Sequence, residues 1–206
     1  VHLAPDPRCR PRHESECRHA LDALGLSHKA FFLSVGTIEP RKNLLRVFEA
    51  FRAGRRASHF DWPLIVVGAS GWKSSREHEM LDELIKDGLA IYLDYVTDDT
   101  LLTLYASAGA LVFPSLYEGF GLPALEAAAC GCPVITSDHS AMAEFVPEQT
   151  LFVNPEDVSS ISDALKAIPS RSEFGSGFDV STQAAARTWV DVAQETSDVY
   201  RAALQG

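Results

Sequence analysis

Two glutamates lie on either side of a glycine-containing stretch in the middle of the chain. In FPSLYEGFGLPALEAAACGCPV, Glu118 and Glu126 flank two glycines and a proline. Gly119 and Gly121 leave the backbone N–H groups of a tight loop accessible, and Pro123 suits the first position of a helix, where no N–H is needed. Unpaired N–H groups at the start of a helix attract anions. The stretch therefore predicts an anion site with a carboxylate on each side.

The loop after the first apolar run carries positive charge. In SVGTIEPRKNL, Gly36 allows the backbone to turn sharply and to approach a ligand closely. Arg41 and Lys42 stand directly ahead of a predicted helix, where two cations oppose the helix macrodipole. A bound anion would offset this conflict, although a solvated basic pair explains the pattern equally well. If both loops face one pocket, the two cations and the helix end suit a diphosphate.

The two glutamates require a different partner, because a carboxylate beside a diphosphate is repelled by it. Carboxylate oxygens accept hydrogen bonds from vicinal hydroxyls, as an acidic residue does with the ribose in dinucleotide-binding folds. Glu126, in the first helical turn, is predicted to hold a ribose. Glu118, on the loop, is predicted to hold hydroxyls on the other side of the diphosphate. Hydroxyls on both sides of a diphosphate describe a nucleotide sugar.

Short β-type runs alternate with helical patterns from residue 31 onward, which is typical of βαβ units and a parallel sheet. The predicted strands are Phe31–Val35, Leu64–Val67, Ile91–Leu93, Ala110–Phe113, Val134–Thr136 and Leu151–Val153. The predicted helices are Asn43–Arg52, Glu77–Lys86, Asp98–Ser107, Pro123–Ala129, Val158–Ile168 and Thr182–Leu204, with Asp98 and Asp157 as N-caps and a loop over 169–180. The fold class is therefore α/β, a Rossmann-like doubly wound parallel sheet of about six strands with a long carboxyl-terminal helix.

The order of the strands decides whether the two loops meet. With the common order 3-2-1-4-5-6, which we assume, strands 1 and 4 are neighbours, and ligands bind at their carboxyl ends. The residues after Val35 and after Phe113 are then expected to line one crevice. On the last helix Trp189, Val192 and Val199 lie along one face. We expect an exposed apolar stripe there if the chain is half of an enzyme.

The composition excludes several classes of partner. The formal net charge is −10 and no Lys/Arg-rich run is present, so neither a nucleic acid nor an anionic membrane is expected as a partner. No apolar segment has the length of a membrane span, and four cysteines without a disulfide-like pattern fit a reducing, cytoplasmic compartment. The chain begins without Met, which suggests a piece of a longer protein. Residues 1–29 are predicted to be a linker or interdomain segment, and 30–206 a nucleotide-sugar-binding domain.

Three runs resemble the retaining glycosyltransferases of family 4, which have the GT-B fold. They are VGTIEPRKNL, FPSLYEGFGLPALEAAACGCPVITSD and TWVDVAQETSDVY, and the resemblance covers residues 30 to 205. Its core is a glutamate, seven residues and a second glutamate, here Glu118 and Glu126. The match is to the carboxyl-terminal, donor-binding half alone. It implies one half of a GT-B fold and an amino-terminal acceptor domain that lies outside this chain.

The resemblance also implies roles for the matching residues. Glu126 binds the ribose of the sugar donor, and Glu118 contacts the transferred sugar. Lys42, with help from Arg41, neutralises the diphosphate. The candidate catalytic residues are thus Glu118, Lys42 and Arg41. The other implied contacts with the sugar donor are Gly36, Thr37, Val96, Asp98, Gly119, Phe120, Gly121 and Leu122, of which Val96 and Asp98 match positions that contact the base.

Two positions depart from the family pattern. Many relatives carry an arginine where this chain has Thr37, directly after the glycine that ends the first strand. More of the neutralisation then falls on Lys42 and Arg41. Similar enzymes often have glycine where this chain has Asp94, so the base pocket departs from the family pattern at its edge.

The expected function is transfer of a sugar from a nucleoside diphosphate sugar, with retention of configuration, in polysaccharide biosynthesis. Charge accumulates on the leaving diphosphate, where preorganised cations and a helix end stabilise it. No Asp-any-Asp triplet, the usual metal site of transferases that use one, occurs in the sequence, so metal independence is predicted and no cofactor is expected. The sugar and the base, of UDP or GDP type, stay open. Without its acceptor domain the chain is expected to be inactive.

Other interpretations apply to the whole chain and to single motifs. A stand-alone nucleotide-sugar-binding regulatory module, or an epimerase or phosphorylase with the GT-B fold, would share the sheet. Trp72 either flanks the base or forms a lid on the sheet edge. The residue types of a zinc site and of a hydrolase triad also occur, at Cys9, His13, Cys17 and His19 and at Asp138, His139 and Ser140. The first spacing matches no common zinc pattern, and three consecutive residues do not easily converge.

Overall fold

The computed structural model of the chain describes residues 1–138, 150–170 and 187–204. Six strands in these ranges form one sheet: β1 (Phe32–Val35), β2 (Leu64–Val67), β3 (Ala90–Leu93), β4 (Ala110–Phe113), β5 (Val134–Ser137) and β6 (Leu151–Val153). The helices in the same ranges are α1 (Glu14–Ala23), α2 (Leu44–Arg56), α3 (Ser75–Lys86), α4 (Asp98–Ser107), α5 (Leu122–Ala129), α6 (Val158–Ala167) and α7 (Trp189–Ala203). A single 3-10 turn, Pro40–Lys42, precedes α2.

The sheet is parallel, with the strand order β3-β2-β1-β4-β5-β6, so the predicted order is confirmed. Phe32 of β1 lies opposite Leu64 of β2 on one side and opposite Ala110 of β4 on the other. The winding reverses between β1 and β4. The carboxyl ends of these two strands, at Val35 and Phe113, are therefore adjacent, as the sequence predicts.

Helices on both faces explain why the strands are apolar throughout. Successive residues of a strand point to opposite faces. Leu33 of β1 accordingly joins a core that includes residues of α1, α4 and α5, whereas Phe32 joins a core with α2, α3 and α6. In the second core the rings of Phe32, Phe51 and Phe60 pack with centroids 5.0 to 6.3 Å apart. Each such pair contributes roughly 0.5–1.5 kcal/mol beyond the burial of its surface.

The segment predicted to be a linker contains a helix of its own. Helix α1 packs against α4 and buries Cys17 and Leu21. The division of the chain into an interdomain segment at 1–29 and a domain at 30–206 stays a prediction.

Two of the predicted helix starts differ from those in the structure, and one is confirmed. Thr97, not Asp98, caps α4, because the Thr97 hydroxyl accepts the N–H of Thr100 at 3.3 Å. Asp157 caps α6 as predicted. Helix α7 begins at Trp189, and the two residues before it are not helical, whereas the prediction started it at 182; residues 171–186 lie outside the described ranges.

The apolar stripe expected on the last helix is present. Val192 is buried, whereas Trp189 and Val199, on the same predicted face, are 46% and 56% exposed. Three more large apolar side chains of the carboxyl-terminal segment are exposed, namely Val190, Tyr200 and Leu204. Several exposed large apolar side chains on one helix are typical of a contact with another domain or protein.

The described residues also bear on the remaining motifs. Cys17 of the zinc interpretation lies in the core, and no three His, Cys, Asp or Glu side chains among the described residues are grouped as a metal site requires. Of the triad interpretation, His139 and Ser140 fall outside the described ranges. None of the helices that the structure describes is long and apolar enough to cross a membrane.

Candidate functional site

The loops after β1 and β4 meet, and a buried asparagine holds them together. The backbone N–H of Leu116 donates to the carbonyl oxygen of Arg41 at 2.8 Å. The Nδ2 amide of Asn43 donates to the carbonyl oxygens of Pro114, at 3.0 Å, and Pro155, at 2.6 Å. Asn43 has φ 61° at the junction of the 3-10 turn and α2, a conformation that asparagine adopts more readily than most residues. The loops after β1, β4 and β6 are thereby joined at one point.

Lys42, Arg41 and Glu118 form a compact charge cluster at this junction. The Lys42 Nζ lies 2.7 Å from Oε1 of Glu118, and the Arg41 Nη1 lies 2.8 Å from Oε2 of the same carboxylate. The side chains of Lys42 and Glu118 are only 9% and 8% exposed, whereas that of Arg41 is 42% exposed. The Lys42 ammonium also lies 4.6 Å from the centroid of the Phe113 ring. The sequence predicts that these residues share a pocket, and the structure brings them together.

Two glycines let the first loop pack tightly. A Cβ on Gly36 would lie 3.1 Å from Cε and 3.3 Å from Nζ of Lys42, so the lysine side chain lies directly against this backbone. A Cβ on Gly68, at the end of β2, would lie 2.1 Å from the carbonyl oxygen of Gly36. Gly36 is one of the predicted site residues, whereas Gly68 is not. Thr37, which follows Gly36, is exposed.

Helix α5, which follows the second loop, starts one residue earlier than predicted. Helix α5 begins at Leu122, with Gly121 as its N-cap at φ 95°, so Pro123 occupies the second helical position rather than the first. No side chain caps this helix, and its first turn holds no acidic residue. Its N-terminal N–H groups therefore suit an anion. Gly119 is exposed, and a Cβ there would meet nothing within 4 Å.

Glu126 lies on α5, is half-buried, and does not belong to the charge cluster of Lys42, Arg41 and Glu118. Burial raises the pKa of its carboxyl group, the hydroxyl of Tyr105 opposes this change, and the negative charges of Asp6 and Asp98 add to the rise. The Tyr105 hydroxyl is fully buried and has no hydrogen bond of ordinary geometry, although it is close enough to affect the carboxylate.

Val96 and Asp98, which are predicted to contact the base, follow β3. Val96 packs at the edge of the first core, and Asp98 is exposed, with its Oδ2 accepting a hydrogen bond from Nη2 of Arg8 at 2.9 Å. Asp94 accepts a hydrogen bond from the hydroxyl of Tyr92 at 3.2 Å. The ring of Phe120, in the glycine loop, lies 6.1 Å from the ring of His2. The amino-terminal residues thus contact both the base region and the glycine loop.

Sequence reasoning missed one buried acid in the first loop. Glu39 is 9% exposed; its carboxylate forms an ion pair with Nε of Arg41 at 2.7 Å and accepts a hydrogen bond from the indole Nε1 of Trp72 at 3.0 Å. Burial alone would lower the pKa of Arg41, but the carboxylates of Glu118 and Glu39 outweigh burial and raise it. The available signal was the position of Glu39 two residues before Arg41 in the same loop.

Comparison with known proteins identifies the family. A family model described as "Glycosyl transferases group 1" matches residues 22–175. The chain belongs to the family of group 1 glycosyl transferases. The O-antigen chain mannosyltransferase B of Escherichia coli is 38% identical to this glycosyltransferase chain over 152 residues, which are 74% of the chain and 40% of that relative. The chain therefore spans well under half the length of this curated relative.

Two solved structures place the glycosyltransferase chain in the GT-B fold. The Anabaena protein Alr3699/HepE, solved in complex with UDP and glucose, has a TM-score of 0.77 at 16% identity, over 98% of this chain and 56% of that chain. The carboxyl-terminal domain of the group 1 family protein LpcC from Francisella tularensis has a TM-score of 0.69 at 23% identity, over 87% of this chain and 93% of that one. The resemblance drawn from the sequence and the predicted fold class are confirmed.

Proposed function

We propose that this chain is the donor-binding half of a retaining, metal-independent glycosyltransferase that transfers a sugar from a nucleoside diphosphate sugar. The observation that carries the proposal is the cluster of Lys42 and Arg41 at the carboxyl ends of β1 and β4, held at 2.7 and 2.8 Å from Glu118. Ligands of doubly wound sheets bind at this edge, where the winding reverses.

The relatives support the same assignment. The fold neighbour from Anabaena was solved with UDP and glucose, and the Francisella neighbour, which this chain covers almost completely, is a carboxyl-terminal domain. The relative from Escherichia coli is a mannosyltransferase that acts on an O-antigen chain. A mannosyl nucleotide is therefore the first sugar donor to test, and polysaccharide synthesis the first pathway class. The acceptor site and any group that deprotonates the acceptor would belong to a further domain.

The chemistry follows from the charges at the site. When the bond between sugar and diphosphate breaks, negative charge accumulates on the leaving nucleoside diphosphate. Lys42 and Arg41 are already oriented by their neighbours, and the N-terminus of α5 points its N–H groups into the same edge. Preorganised positive charge in a site of low exposure stabilises such a leaving group without reorganisation during the reaction. The chain's own residues can supply this stabilisation without a metal ion.

Glu118 would make the site bind a nucleotide sugar more tightly than a nucleoside diphosphate without a sugar. Its two oxygens hold the same two cations that a diphosphate requires. A bound diphosphate therefore displaces the carboxylate from Lys42 and Arg41, and the displaced carboxylate needs hydrogen-bond donors of its own. The hydroxyls of a transferred sugar supply them, whereas a nucleoside diphosphate without sugar does not.

The proposed function is tested by calorimetric titration of the chain with UDP, GDP and their mannosyl and glucosyl derivatives in the presence of EDTA. We expect micromolar binding of one nucleoside diphosphate and of its sugar derivative, because the cations and the helix end need no metal ion. Nucleoside monophosphates, which lack the second phosphate, serve as the control. Absence of binding by every nucleotide would overturn the proposal. Binding without transfer in any longer version of the protein would favour a regulatory module.

Glu118→Gln tests the exchange between carboxylate and diphosphate. The variant removes the competing negative charge and leaves the buried Lys42 in need of an anion, so we expect it to bind the nucleoside diphosphate about tenfold more tightly. The nucleotide sugar gains less, because an amide is a weaker acceptor for the sugar hydroxyls. The preference for the sugar derivative should therefore fall about tenfold in calorimetry. Glu126→Gln, on the ribose side, should change both affinities in proportion, and an unchanged preference in Glu118→Gln would contradict the exchange.

A further inference from the structure

Glu39 joins two loops through a single buried carboxylate. Its residue exposure is 9%, and it lies in extended backbone at φ −149° directly before the 3-10 turn. One oxygen lies 2.7 Å from Nε of Arg41 in an ion pair, and the other accepts the indole N–H of Trp72 at 3.0 Å. Each oxygen of the carboxylate therefore has a partner, one a cation and one a neutral ring.

Trp72 is held in place by its own loop, which follows β2. The N–H of Gly71 donates to the carbonyl oxygen of Ile38 at 3.0 Å, and Ser70 forms an isolated parallel bridge with Ile38. A Cβ on Gly71 would lie 2.6 Å from that carbonyl oxygen, so the close approach of the two loops requires glycine here. The backbone beside Trp72 is thus fixed against the backbone beside Glu39.

The two carboxylates around Arg41 bind different edges of its guanidinium group. Glu39 takes the Nε edge, while Glu118 and the carbonyl oxygen of Tyr117 take Nη1, at 2.8 and 3.3 Å. An anion that displaces Glu118 from Nη1 leaves the ion pair at Nε intact. The Arg41 side chain is 42% exposed, and a long exposed side chain without such a bond samples many rotamers. Glu39 therefore restricts Arg41 to an orientation that faces the anion site.

We infer that Glu39 is a positioning residue for the sugar donor: it acts through Arg41 and, by sharing its carboxylate, couples the exposed indole of Trp72 to the occupancy of the anion site. This inference rests on the proposed function. Glu39 itself contacts neither the diphosphate nor the sugar. A diphosphate that binds Arg41 therefore also changes the electron density on the Glu39 carboxylate, which accepts the indole N–H of Trp72.

The inference is tested with ¹⁵N-labelled chain and titration of the nucleoside diphosphate that binds in calorimetry, with inorganic pyrophosphate as a second ligand. The indole N–H signal of Trp72 is assigned by its absence in Trp72→Phe. In the unmodified chain we expect both ligands to shift this signal. Glu39→Gln should bind both ligands about tenfold more weakly and, at saturation, show less than a third of the ligand-induced shift.

Trp72→Phe is the matched control, because it removes the hydrogen bond from the indole to Glu39 and leaves the ion pair with Arg41. We expect its affinity for either ligand to stay within threefold of the unmodified chain. If Glu39 had only a structural role, Glu39→Gln would lower the unfolding midpoint and leave the dissociation constants unchanged, which would overturn the inference alone. Failure of the unmodified chain to bind either ligand would overturn the proposed function and the positioning role together.

Discussion

Replacing Lys42 with methionine is expected to weaken binding of the nucleoside diphosphate by at least about a hundredfold. Methionine keeps the apolar stem against the Phe113 ring and Gly36 but removes the ammonium group, which is almost inaccessible to water. Truncation of one member of a buried charge pair costs roughly 2–5 kcal/mol in binding, and each 1.4 kcal/mol is a factor of ten. Calorimetry on the purified variant gives the dissociation constant directly.

The same substitution affects stability, and a double variant separates the two effects. Without Lys42 the Glu118 carboxylate, 8% exposed, keeps only Arg41 as an ionic partner, so we expect a loss of about 2–3 kcal/mol in the free energy of unfolding. Lys42→Met combined with Glu118→Gln removes the uncompensated charge and should recover most of the unfolding midpoint. It should not recover binding. Recovery of binding in the double variant would contradict a direct role of Lys42 with the diphosphate.

Lys86→Met is the control for loss of a lysine elsewhere. Lys86 ends α3, which runs back from the carboxyl ends of the strands, so it lies at the opposite edge of the sheet. It is exposed, and surface substitutions of this kind change stability by roughly 0.5 kcal/mol or less. We expect both the dissociation constant and the unfolding midpoint to match those of the unmodified chain.

The fold could be predicted because its determinants are local and repeated. Short runs that are apolar throughout occur where helices cover both faces of a sheet, and each predicted strand agrees with the structure within about one residue. The strand order then follows from a widespread topology. The exact helix starts depend on single capping contacts, such as the Thr97 hydroxyl on the N–H of Thr100. Such contacts are too small to appear in an apolar pattern.

Helix α1 could not be predicted because little of it is apolar. Its ten residues bury only Cys17 and Leu21, and its N-terminus is stabilised by an unusual cap in which the His13 ring accepts the N–H of Ser15 at 3.3 Å. Histidine is not among the preferred capping residues. The helix depends on its contact with α4, which is a tertiary contact that sequence periodicity does not reveal.

The site could be predicted as a meeting of loops but not as a set of contacts. The sequence placed Lys42, Arg41 and Glu118 at adjacent strand ends, which the sheet order brings together. It did not indicate that Glu118 binds both cations. That arrangement depends on the side-chain directions of residues that are 76 and 77 positions apart in the chain. Asn43 and Glu39 were missed for the same reason. Pro114 and Pro155, the partners of Asn43, and Trp72, a partner of Glu39, lie on other loops and have no spacing rule.

Gly68→Ala is expected to destabilise the chain by about 3–5 kcal/mol and to lower the unfolding midpoint on the order of 10 °C. Gly68 has φ 145°, which L-residues rarely adopt, and its N–H bonds to the carbonyl oxygen of Leu93 at 3.0 Å. An added Cβ would lie 2.1 Å from the carbonyl oxygen and 2.5 Å from the carbonyl carbon of Gly36. Both contacts are with backbone, so no side-chain rotation relieves them, and thermal unfolding followed by circular dichroism measures the loss.

Gly68→Ala should also weaken binding in whatever fraction of the protein stays folded. The clash moves Gly36, and the Lys42 side chain lies against Gly36, so the ammonium moves away from the anion site. Gly119→Ala is the matched control for stability: it lies in an exposed loop, a Cβ there meets nothing within 4 Å, and we expect its unfolding free energy to change by roughly 0.5 kcal/mol or less. An unfolding midpoint of Gly68→Ala equal to that of Gly119→Ala would show that the loop after β1 can move aside. The proposal that Lys42 is held in a preorganised position would then be wrong. The proposed stabilisation of the leaving diphosphate depends on that position.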